Sequence, residues 1–226
     1  MIVAQYAAAV LVGYILGSIP FGLLIAKRMA RVDVRKYGSG KTGTTNVLRT
    51  AGKKAAALVA LLDLSKGALA VLFAGLIVGK SYLVVGNFGL GSLLAQVLAA
   101  LAAVAGHNWS VFLKFRGGSG VATFFGGLIA LSPMVAILGG EIIILGAIST
   151  RFVSLGSIAG VVGTYAILVP LTVLNGFPIE YLLYAALGAV MIIYMHRGNI
   201  ARLLAGRERK LGEKAEGIVT SEEGKG

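Results

Sequence analysis

The sequence predicts an all-α polytopic membrane protein, a bundle of seven transmembrane helices with its amino terminus outside and its carboxyl terminus in the cytoplasm. Hydrophobic residues make up 57% of the 226 residues, charged residues make up 13%, and the mean hydropathy is +0.88. This balance is typical of a chain whose main solvent is lipid. Nine basic residues lie from Lys27 to Lys54 and seven from Arg197 to Lys225. One interpretation is the positive-inside rule for cytoplasmic segments, with contact to anionic lipid headgroups; the other is a direct role with the substrate, and both can hold together.

The first predicted helix covers residues 2–26, which contain no charge. It would be about 37 Å long, enough to cross a hydrocarbon core of about 30 Å with some tilt. No basic segment precedes it and it is longer than the apolar part of a signal peptide, so we expect a transmembrane helix. Lys27 and Arg28 follow it and predict that this end is cytoplasmic.

The second predicted helix, residues 55–79, returns across the membrane with two charges, Asp63 and Lys66. A spacing of three places both on one helix face. The favoured interpretation is a structural ion pair, and a role in orienting the loop before the helix is the alternative. Residues 80–86 predict an outer turn, after which residues 88–106 cross back.

The next apolar segment, residues 121–148, is too long for one ordinary span and contains Ser132-Pro133. Both basic regions should face the cytoplasm, so an even number of crossings must separate them. Two short helices that meet near Pro133 give six such crossings and seven in all. Within this segment, Glu141 is expected to have a structural role facing the bundle interior. The last two spans are predicted at residues 155–174 and 179–195.

Residues 1–214 are expected to form one membrane domain, and residues 215–226, which lack hydrophobic periodicity, a flexible cytoplasmic tail. The absence of cysteine excludes disulfides and thiolate catalysis. Two histidines 89 positions apart predict no metal site, and no cofactor is expected. The positive charge is not accompanied by a nucleic-acid-binding module, so no nucleic-acid partner is expected.

A run of glycine and hydroxyl residues at positions 38–49 predicts an anion-binding loop. Glycines let the backbone approach a ligand closely, and short polar side chains are donors suited to phosphate. Gly40-Lys41-Thr42 matches the end of a nucleotide P-loop, but that pattern requires glycine where this chain has Arg35. A dinucleotide-binding loop requires a preceding strand, whereas a membrane-length helix precedes this loop. Nucleotide binding is therefore disfavoured.

Two more polar regions should lie on the same face of the membrane as this loop. One follows His107 and contains Gly117-Gly118-Ser119-Gly120, and the other contains His196 and Asn199 at the end of the last span. Ser154, at the start of the span before it, should lie on this face as well. Together these residues predict a phosphate-handling surface at the boundary between membrane and cytoplasm.

In combination and order, these motifs resemble those of the bacterial integral-membrane glycerol-3-phosphate acyltransferases that take their acyl group from acyl phosphate. The first motif is Gly38-Ser39-Gly40 followed by Gly43-x-Thr45-Asn46-Val47-Leu48-Arg49. The second is Gly106-His107 followed by Phe115-Arg116-Gly117-Gly118-x-Gly120-Val121-Ala122-Thr123. The third is His196-Arg197-x-Asn199-Ile200-x-Arg202-Leu203-Leu204-x-Gly206-x-Glu208.

The resemblance implies a seven-helix bundle in the bacterial cell (inner) membrane with its active site facing the cytoplasm. It implies transfer of a fatty acyl chain from acyl phosphate to the sn-1 hydroxyl of glycerol 3-phosphate, giving lysophosphatidic acid and phosphate, the first step of phospholipid biosynthesis. The expected partners are these two substrates and membrane lipid, and a monomer is expected. The implied catalytic residues, which would hold glycerol 3-phosphate, are Ser39, Arg49, His196 and Asn199, with Ser154 assisting. The implied cradle for acyl phosphate consists of Thr45, Asn46 and the backbone amides of Gly117, Gly118 and Gly120.

The chain departs from the family pattern at two positions. Lys41 stands where the family usually has asparagine, and Ser119 stands where it usually has lysine. Our hypothesis is that Lys41 reaches the phosphate that the missing lysine would have held, so both residues belong to the predicted binding site. Reduced activity or an altered substrate is the rival interpretation.

Acyl phosphate is a mixed anhydride whose leaving group is already an anion, so positioning should dominate catalysis. The general base would be His196 or a phosphate oxygen of the substrate. The alternative function is a transporter of a phosphorylated metabolite or anion, which should place polar groups near the middle of the membrane. The hydroxyl residues and glycines here crowd one surface instead, which favours the enzyme.

Overall fold

The computed structural model describes residues 1–85 and 88–217. Helices dominate these residues, with one antiparallel pair of short strands, β1 (Leu83–Val85) and β2 (Phe88–Leu90). The α-helices are α1 (Ile2–Ser18), α2 (Phe21–Ala30), α3 (Thr44–Ala51), α4 (Lys53–Val78), α5 (Ser92–Asn108), α6 (Val121–Leu131), α7 (Pro133–Thr150), α8 (Val153–Asn175), α9 (Ile179–Met195) and α10 (Arg197–Leu204).

Five helical segments among the described residues are long and apolar enough to cross a membrane, and they are Ile2–Ala30, Lys53–Val78, Ser92–Leu113, Pro133–Thr150 and Val153–Asn175. α9 and α10, bent by 61° relative to each other, would make a sixth span if counted together. α6 is apolar but has only 11 residues, fewer than the 17 or so that a helix normally needs to span. The prediction of a helical membrane protein with several spans is thus confirmed.

The first predicted helix is interrupted, contrary to the expectation of one continuous run. α1 ends at Ser18 and α2 begins at Phe21. Pro20 causes the break, because proline lacks an amide hydrogen and its ring disfavours helical geometry in the residue before it. The third predicted helix also begins later than expected, at Ser92, because Phe88–Leu90 pairs with Leu83–Val85 as a strand.

The predicted break near Pro133 is confirmed, since α6 ends at Leu131 and α7 begins at Pro133. The two halves are unequal, however: α7 has 18 residues and is long enough to cross alone. The prediction that Glu141 faces the bundle interior is wrong. Its side chain is exposed, because α7 lies at the edge of the bundle with most of its apolar surface uncovered.

The largest hydrophobic core lies among α4 to α9, with most of its buried residues on α5, α6 and α9. At its centre the rings of Phe124 and Tyr184 are stacked with their centroids 4.9 Å apart. The hydroxyl of Tyr184 donates a 2.7 Å hydrogen bond to the carbonyl of Phe124, so this buried polar group is satisfied. The contact joins α9 to α6, the short helix that begins at the second glycine-rich loop.

Small residues allow neighbouring helices to approach closely, as the sequence predicts. Gly17 on α1 lies against the backbone of Ala103 on α5, and Gly126 on α6 lies against the backbone of Leu64 on α4. A Cβ atom at either glycine would collide with a backbone carbonyl oxygen of the facing helix. These glycines therefore bring together the helices that position the loops at one end of the bundle.

The segment after α10 contacts the first loop. Ala215 donates its amide hydrogen to the carbonyl of Arg49, and Gly38 donates its own to the carbonyl of Glu216. Residues 215–217 thus have defined backbone partners, and the flexible tail from residue 215 stays a prediction. The rest of the predicted tail, residues 218–226, lies outside the described residues.

Candidate active site

A cavity of about 590 Å³ lies where the three polar regions meet. Ten of the twelve predicted site residues line it, namely Ser39, Lys41, Thr45, Asn46, Arg49, Ser119, Gly120, Ser154, His196 and Asn199. The wall continues into the bundle as an apolar surface formed by α4, α6, α7 and α8, which includes Leu64, Phe125, Ile129, Ala136 and Ile143. The cavity thus combines a polar end with an apolar wall.

Asn46 holds the first loop together. Its side-chain nitrogen donates to the carbonyls of Val34, Tyr37 and Lys41 at 2.9 to 3.1 Å, and its oxygen accepts the amide hydrogen of Ser39 at 3.3 Å. The side chain is almost fully buried, and all of these partners lie in residues 34–41, shortly before Asn46 in the chain. Asn46 therefore shapes the loop, rather than presenting free donors to an anion.

Lys41 points across the cavity from the first loop toward the second. Its ammonium group donates to the hydroxyl of Ser119 at 3.1 Å and to the carbonyl of Met195. Burial lowers the pKa of Lys41 to about 8, and the positive charges of Arg197 and Arg202 act in the same direction. The chain thus places a cation between all three polar regions.

Arg49 lies on α3 and faces the same polar end. One terminal nitrogen of its guanidinium donates to the carbonyl of Arg209 at 3.1 Å. Burial, together with the charge of Arg209, lowers the pKa of Arg49 from its ordinary value, but a guanidinium remains charged in proteins. Its remaining donors can therefore bind an anion in the cavity.

The second loop differs from its predicted geometry. Gly117 and Gly118 lie behind the cavity wall, against His107, where a Cβ atom at either position would collide with this histidine. The amide of Gly118 donates to the carbonyl of His107 at 3.0 Å, so it is not free to bind an anion. The expectation that these two amides cradle a phosphate is not supported by this arrangement. Ser119 and Gly120 line the cavity, with Gly120 at a φ of +81° just before α6.

A buried ionic cluster of Asp63, Lys66 and His107 lies next to the second loop, residues 117–120. Lys66 lies 2.8 Å from Asp63, which confirms the predicted ion pair, and its ammonium group also lies 2.8 Å from Nδ1 of His107. Asp63 and His107 reach the cavity wall. All three side chains are buried, as expected of charges that neutralise each other inside a membrane bundle.

His196 stands at the bend between α9 and α10. Its Nδ1 lies 2.8 Å from the carbonyl of Ile192, an acceptor that favours the tautomer with the proton on Nδ1. In that tautomer Nε2 is unprotonated and can accept a proton or a hydrogen bond. The bend of 61° after Met195 turns α10, so that Asn199 lines the same cavity as His196.

Glu208 is the main residue for which the sequence suggested no role. Its carboxylate accepts hydrogen bonds from Ser154 at 3.0 Å, from Asn199 at 2.7 Å and from Arg202 at 2.7 Å. It is nearly buried and holds two predicted site residues in place. The sequence did contain a signal that could have identified Glu208, namely an acidic residue in the third motif within a strongly basic segment.

No group of three histidine, aspartate or glutamate side chains with the geometry of a metal site occurs in residues 1–85 and 88–217. The polar end is instead formed by cations, hydroxyls and amides. Lys41 and Arg49 supply positive charge, while Ser39 and Ser119 supply hydroxyl donors. Such a set binds phosphate, and the apolar wall beside it can accommodate a hydrocarbon chain.

Comparison with known proteins gives a consistent result. The family model described as "Glycerol-3-phosphate acyltransferase" matches residues 7–206. A protein of Dehalococcoides mccartyi (strain CBDB1) named glycerol-3-phosphate acyltransferase 3 is 63% identical over 95% of this chain and 100% of its own. A glycerol-3-phosphate acyltransferase of Clostridioides difficile (strain 630) is 41% identical over 96% of this chain and 100% of its own.

Two solved structures of PlsY (YgiH), an integral membrane glycerol 3-phosphate acyltransferase, are also similar to this chain. The glycerol 3-phosphate form has a TM-score of 0.79 and 38% identity, and covers 92% of this chain and 96% of its own. The lysophosphatidic acid form has a TM-score of 0.77 at the same identity, and covers 92% and 95%. The motifs, the cavity and these matches over nearly the whole chain agree, and the chain therefore belongs to the glycerol-3-phosphate acyltransferase family.

Proposed function

We propose that the cavity binds glycerol 3-phosphate and an acyl phosphate side by side and transfers the acyl chain to the sn-1 hydroxyl. The observation that carries the proposal is the continuity of one cavity, in which a cationic, hydroxyl-rich end adjoins an apolar wall. A head group with one or two phosphates suits the first part and a fatty chain suits the second. PlsY, the solved relative, has been determined with glycerol 3-phosphate and with lysophosphatidic acid, which is consistent with this division.

The phosphate of glycerol 3-phosphate is held by Arg49 and Lys41. Arg49 can offer two parallel hydrogen bonds, and Lys41, which belongs to the same first loop, adds a second positive charge beside Ser119. Ser39, His196 and Asn199 bind the rest of this small substrate, and Glu208 orients Asn199 and Ser154 toward it. Thr45, Ser119 and Gly120 line the part of the polar end left for the acyl phosphate.

The fatty chain lies along the apolar wall. On α6 this wall extends from Val121 to Ile129, a distance of about 12 Å at 1.5 Å per residue. Ile143 and Ala136 on α7 face the same space. The chain of an acyl phosphate can therefore leave water while its head group stays among the cations.

The reaction forms a bond between the sn-1 oxygen and the acyl carbon and breaks the bond between that carbon and the phosphate oxygen. Phosphate leaves with the electron pair, and the hydroxyl proton goes to Nε2 of His196 or to a phosphate oxygen. Since the leaving group is already an anion, the protein contributes mainly alignment and positive charge. The cationic end stabilises the phosphate as it departs.

As part of this proposal α6, although shorter than an ordinary span, forms a hairpin with α7 and counts as the seventh crossing. The count of seven places the amino terminus outside and both basic regions on the cytoplasmic side of the bacterial cell membrane, where glycerol 3-phosphate is available. The polar lining lies at one end of the bundle, as an enzyme working at a membrane surface requires. A transporter would need such groups at the middle of the membrane.

The donor is tested by supplying purified protein with glycerol 3-phosphate and either palmitoyl phosphate or palmitoyl-CoA. We expect lysophosphatidic acid and inorganic phosphate in equal amounts from palmitoyl phosphate, and no product from the thioester. Product from the thioester alone would show that the proposed donor is wrong. An Arg49→Ala variant serves as the inactive control for spontaneous hydrolysis of the anhydride.

A further inference from the structure

Residues 209–217, here called the strap, follow α10 and Glu208. They connect the corner between α7 and α8 with the first loop. Before the strap, Glu208 is fixed by its bonds to Ser154, Asn199 and Arg202. The strap then contacts the corner between α7 and α8, where the amide of Leu211 donates to the carbonyl of Arg151 at 2.7 Å. It therefore begins next to one side of the active site.

The strap ends on the opposite side of the site, at the first loop. Ala215 donates its amide hydrogen to the carbonyl of Arg49 at 3.3 Å, and Gly38 donates to the carbonyl of Glu216 at 2.9 Å. Tyr37 and Gly217 form an isolated antiparallel bridge. These backbone contacts continue the strap along the loop that contains Ser39 and Lys41.

The side chain of Arg49 contacts the strap directly. Its guanidinium donates to the carbonyl of Arg209 at 3.1 Å and lies 3.5 Å from the carbonyl of Lys210. These acceptors are neutral, so they orient the guanidinium without neutralising it. A carboxylate in the same place would compete with a phosphate for the same charge.

We propose that the strap is a positioning element for Arg49, which it holds in the orientation that receives the phosphate of glycerol 3-phosphate. This inference rests on the role proposed above for Arg49. It extends the functional part of the chain beyond residue 206, where the match to the family model ends. The strap acts through Arg49 and does not itself contact the substrate.

The proposal is tested by truncation. A chain that stops after Gly217 keeps the whole strap, and a chain that stops after Glu208 loses it while keeping the buried carboxylate. We expect the first to match the full-length enzyme. We expect the second to raise the KM for glycerol 3-phosphate about 5- to 10-fold, which is less than the loss of a direct hydrogen bond to a charged group because the strap acts through Arg49. The KM for palmitoyl phosphate should change little.

Two point variants of the full-length chain keep the proposal testable if the truncated chain does not fold. Leu211→Pro removes the amide hydrogen bonded to Arg151 and should raise the same KM in the full-length chain. Lys214→Ala changes an exposed strap residue and should leave both KM values unchanged. Equal effects on both substrates in Leu211→Pro, or on kcat alone, would show that the strap supports the cavity in general, and the proposal would be wrong.

Failure of this inference can be separated from failure of the proposed role of Arg49. Arg49→Lys is measured in parallel for the same two KM values. If Arg49→Lys leaves the KM for glycerol 3-phosphate unchanged, the role of Arg49 is wrong. If Arg49→Lys raises it but removal of the strap and Leu211→Pro do not, the role of Arg49 stands and the strap does not position it.

Discussion

The ammonium group of Lys41 lies 3.1 Å from the hydroxyl of Ser119, although 78 positions separate them in the chain. These are the two positions at which the chain departs from the pattern of its family, with a lysine gained in the first motif and a lysine lost from the second. The ammonium group of Lys41 therefore lies beside the position at which the family pattern expects a lysine. The contact supports the hypothesis that one lysine substitutes for the other.

Lys41→Asn should lower kcat/KM for glycerol 3-phosphate by about 10- to 100-fold, the range expected when a charge-assisted hydrogen bond is lost. Adding Ser119→Lys to this variant should restore most of the lost activity, because the new lysine side chain starts next to the place where the ammonium group of Lys41 lay. Steady-state kinetics of the single and double variants measure both effects. If Lys41→Asn alone leaves turnover and affinity unchanged, the substitution hypothesis is wrong.

The pH dependence should also report on Lys41, whose pKa is lowered to about 8 chiefly by burial. Lysine is positively charged below its pKa, so it can hold phosphate below pH 8 and loses this ability as the pH rises. We expect kcat/KM for glycerol 3-phosphate, which reflects groups of the free enzyme, to fall as pH increases through about 8. The Lys41→Asn variant should lack this fall, and identical profiles for the two enzymes would contradict the assignment.

Arg49→Lys should lose most activity although it preserves the charge. Lysine cannot form two parallel bonds to a phosphate, nor can it reach the strap carbonyls with the same planar geometry. We expect kcat/KM to fall on the order of 100-fold, as for two lost bonds to a charged group. Gel filtration in detergent checks that the variant is folded, so that the loss can be assigned to binding. Near-normal turnover would remove Arg49 from the binding site.

Glu208→Gln should weaken the binding of glycerol 3-phosphate, although we expect Glu208 to act through its neighbours and not by contact with the substrate. An amide provides one acceptor oxygen where the carboxylate provides two, so Ser154, Asn199 and Arg202 cannot all keep their partner. We expect the KM for glycerol 3-phosphate to rise about 10-fold. Glu141→Gln, at an exposed position on α7 outside the cavity lining, is the matched control and should behave as the parent enzyme. Equal kinetics in both variants would exclude this role.

Asp63→Asn should destabilise the protein by about 3–5 kcal/mol, because it leaves the buried ammonium of Lys66 without its counter-charge. The double variant Asp63→Asn with Lys66→Met removes both charges and should recover much of the loss. Thermal unfolding in detergent, followed by the fluorescence of the single tryptophan, measures both. An unfolding temperature in Asp63→Asn equal to that of the parent would mean that the ion pair does not stabilise the fold.

Several elements of the structure could be predicted because they depend on local sequence. The spans follow from uncharged runs, and the break at Pro133 follows from the missing amide hydrogen of proline. The ion pair of Asp63 and Lys66 follows from helical spacing. Motif order, together with the parity of crossings, placed three polar regions on one face, and ten of the twelve chosen residues do line one cavity.

Other features depend on contacts between distant segments, which no local pattern records. Gly117 and Gly118 pack against His107, where a Cβ atom would collide, and neither lines the cavity. Glu208 binds residues of two other elements, which its position in a basic segment did not reveal. Glu141 is exposed because α7 lies at the edge of the bundle. The sequence of one helix does not show where that helix lies in the bundle.

The break between α1 and α2 has a consequence for how the family can change over time. Lys66 donates a 3.1 Å hydrogen bond to the carbonyl of Ile19, in the turn that Pro20 creates, while it also pairs with Asp63 and contacts His107. The turn at Pro20 and the three polar residues are thus linked through one hydrogen-bonded network. A lineage that replaces Pro20 with a helix-forming residue loses one reason to keep the lysine, and the aspartate and histidine should then drift with it.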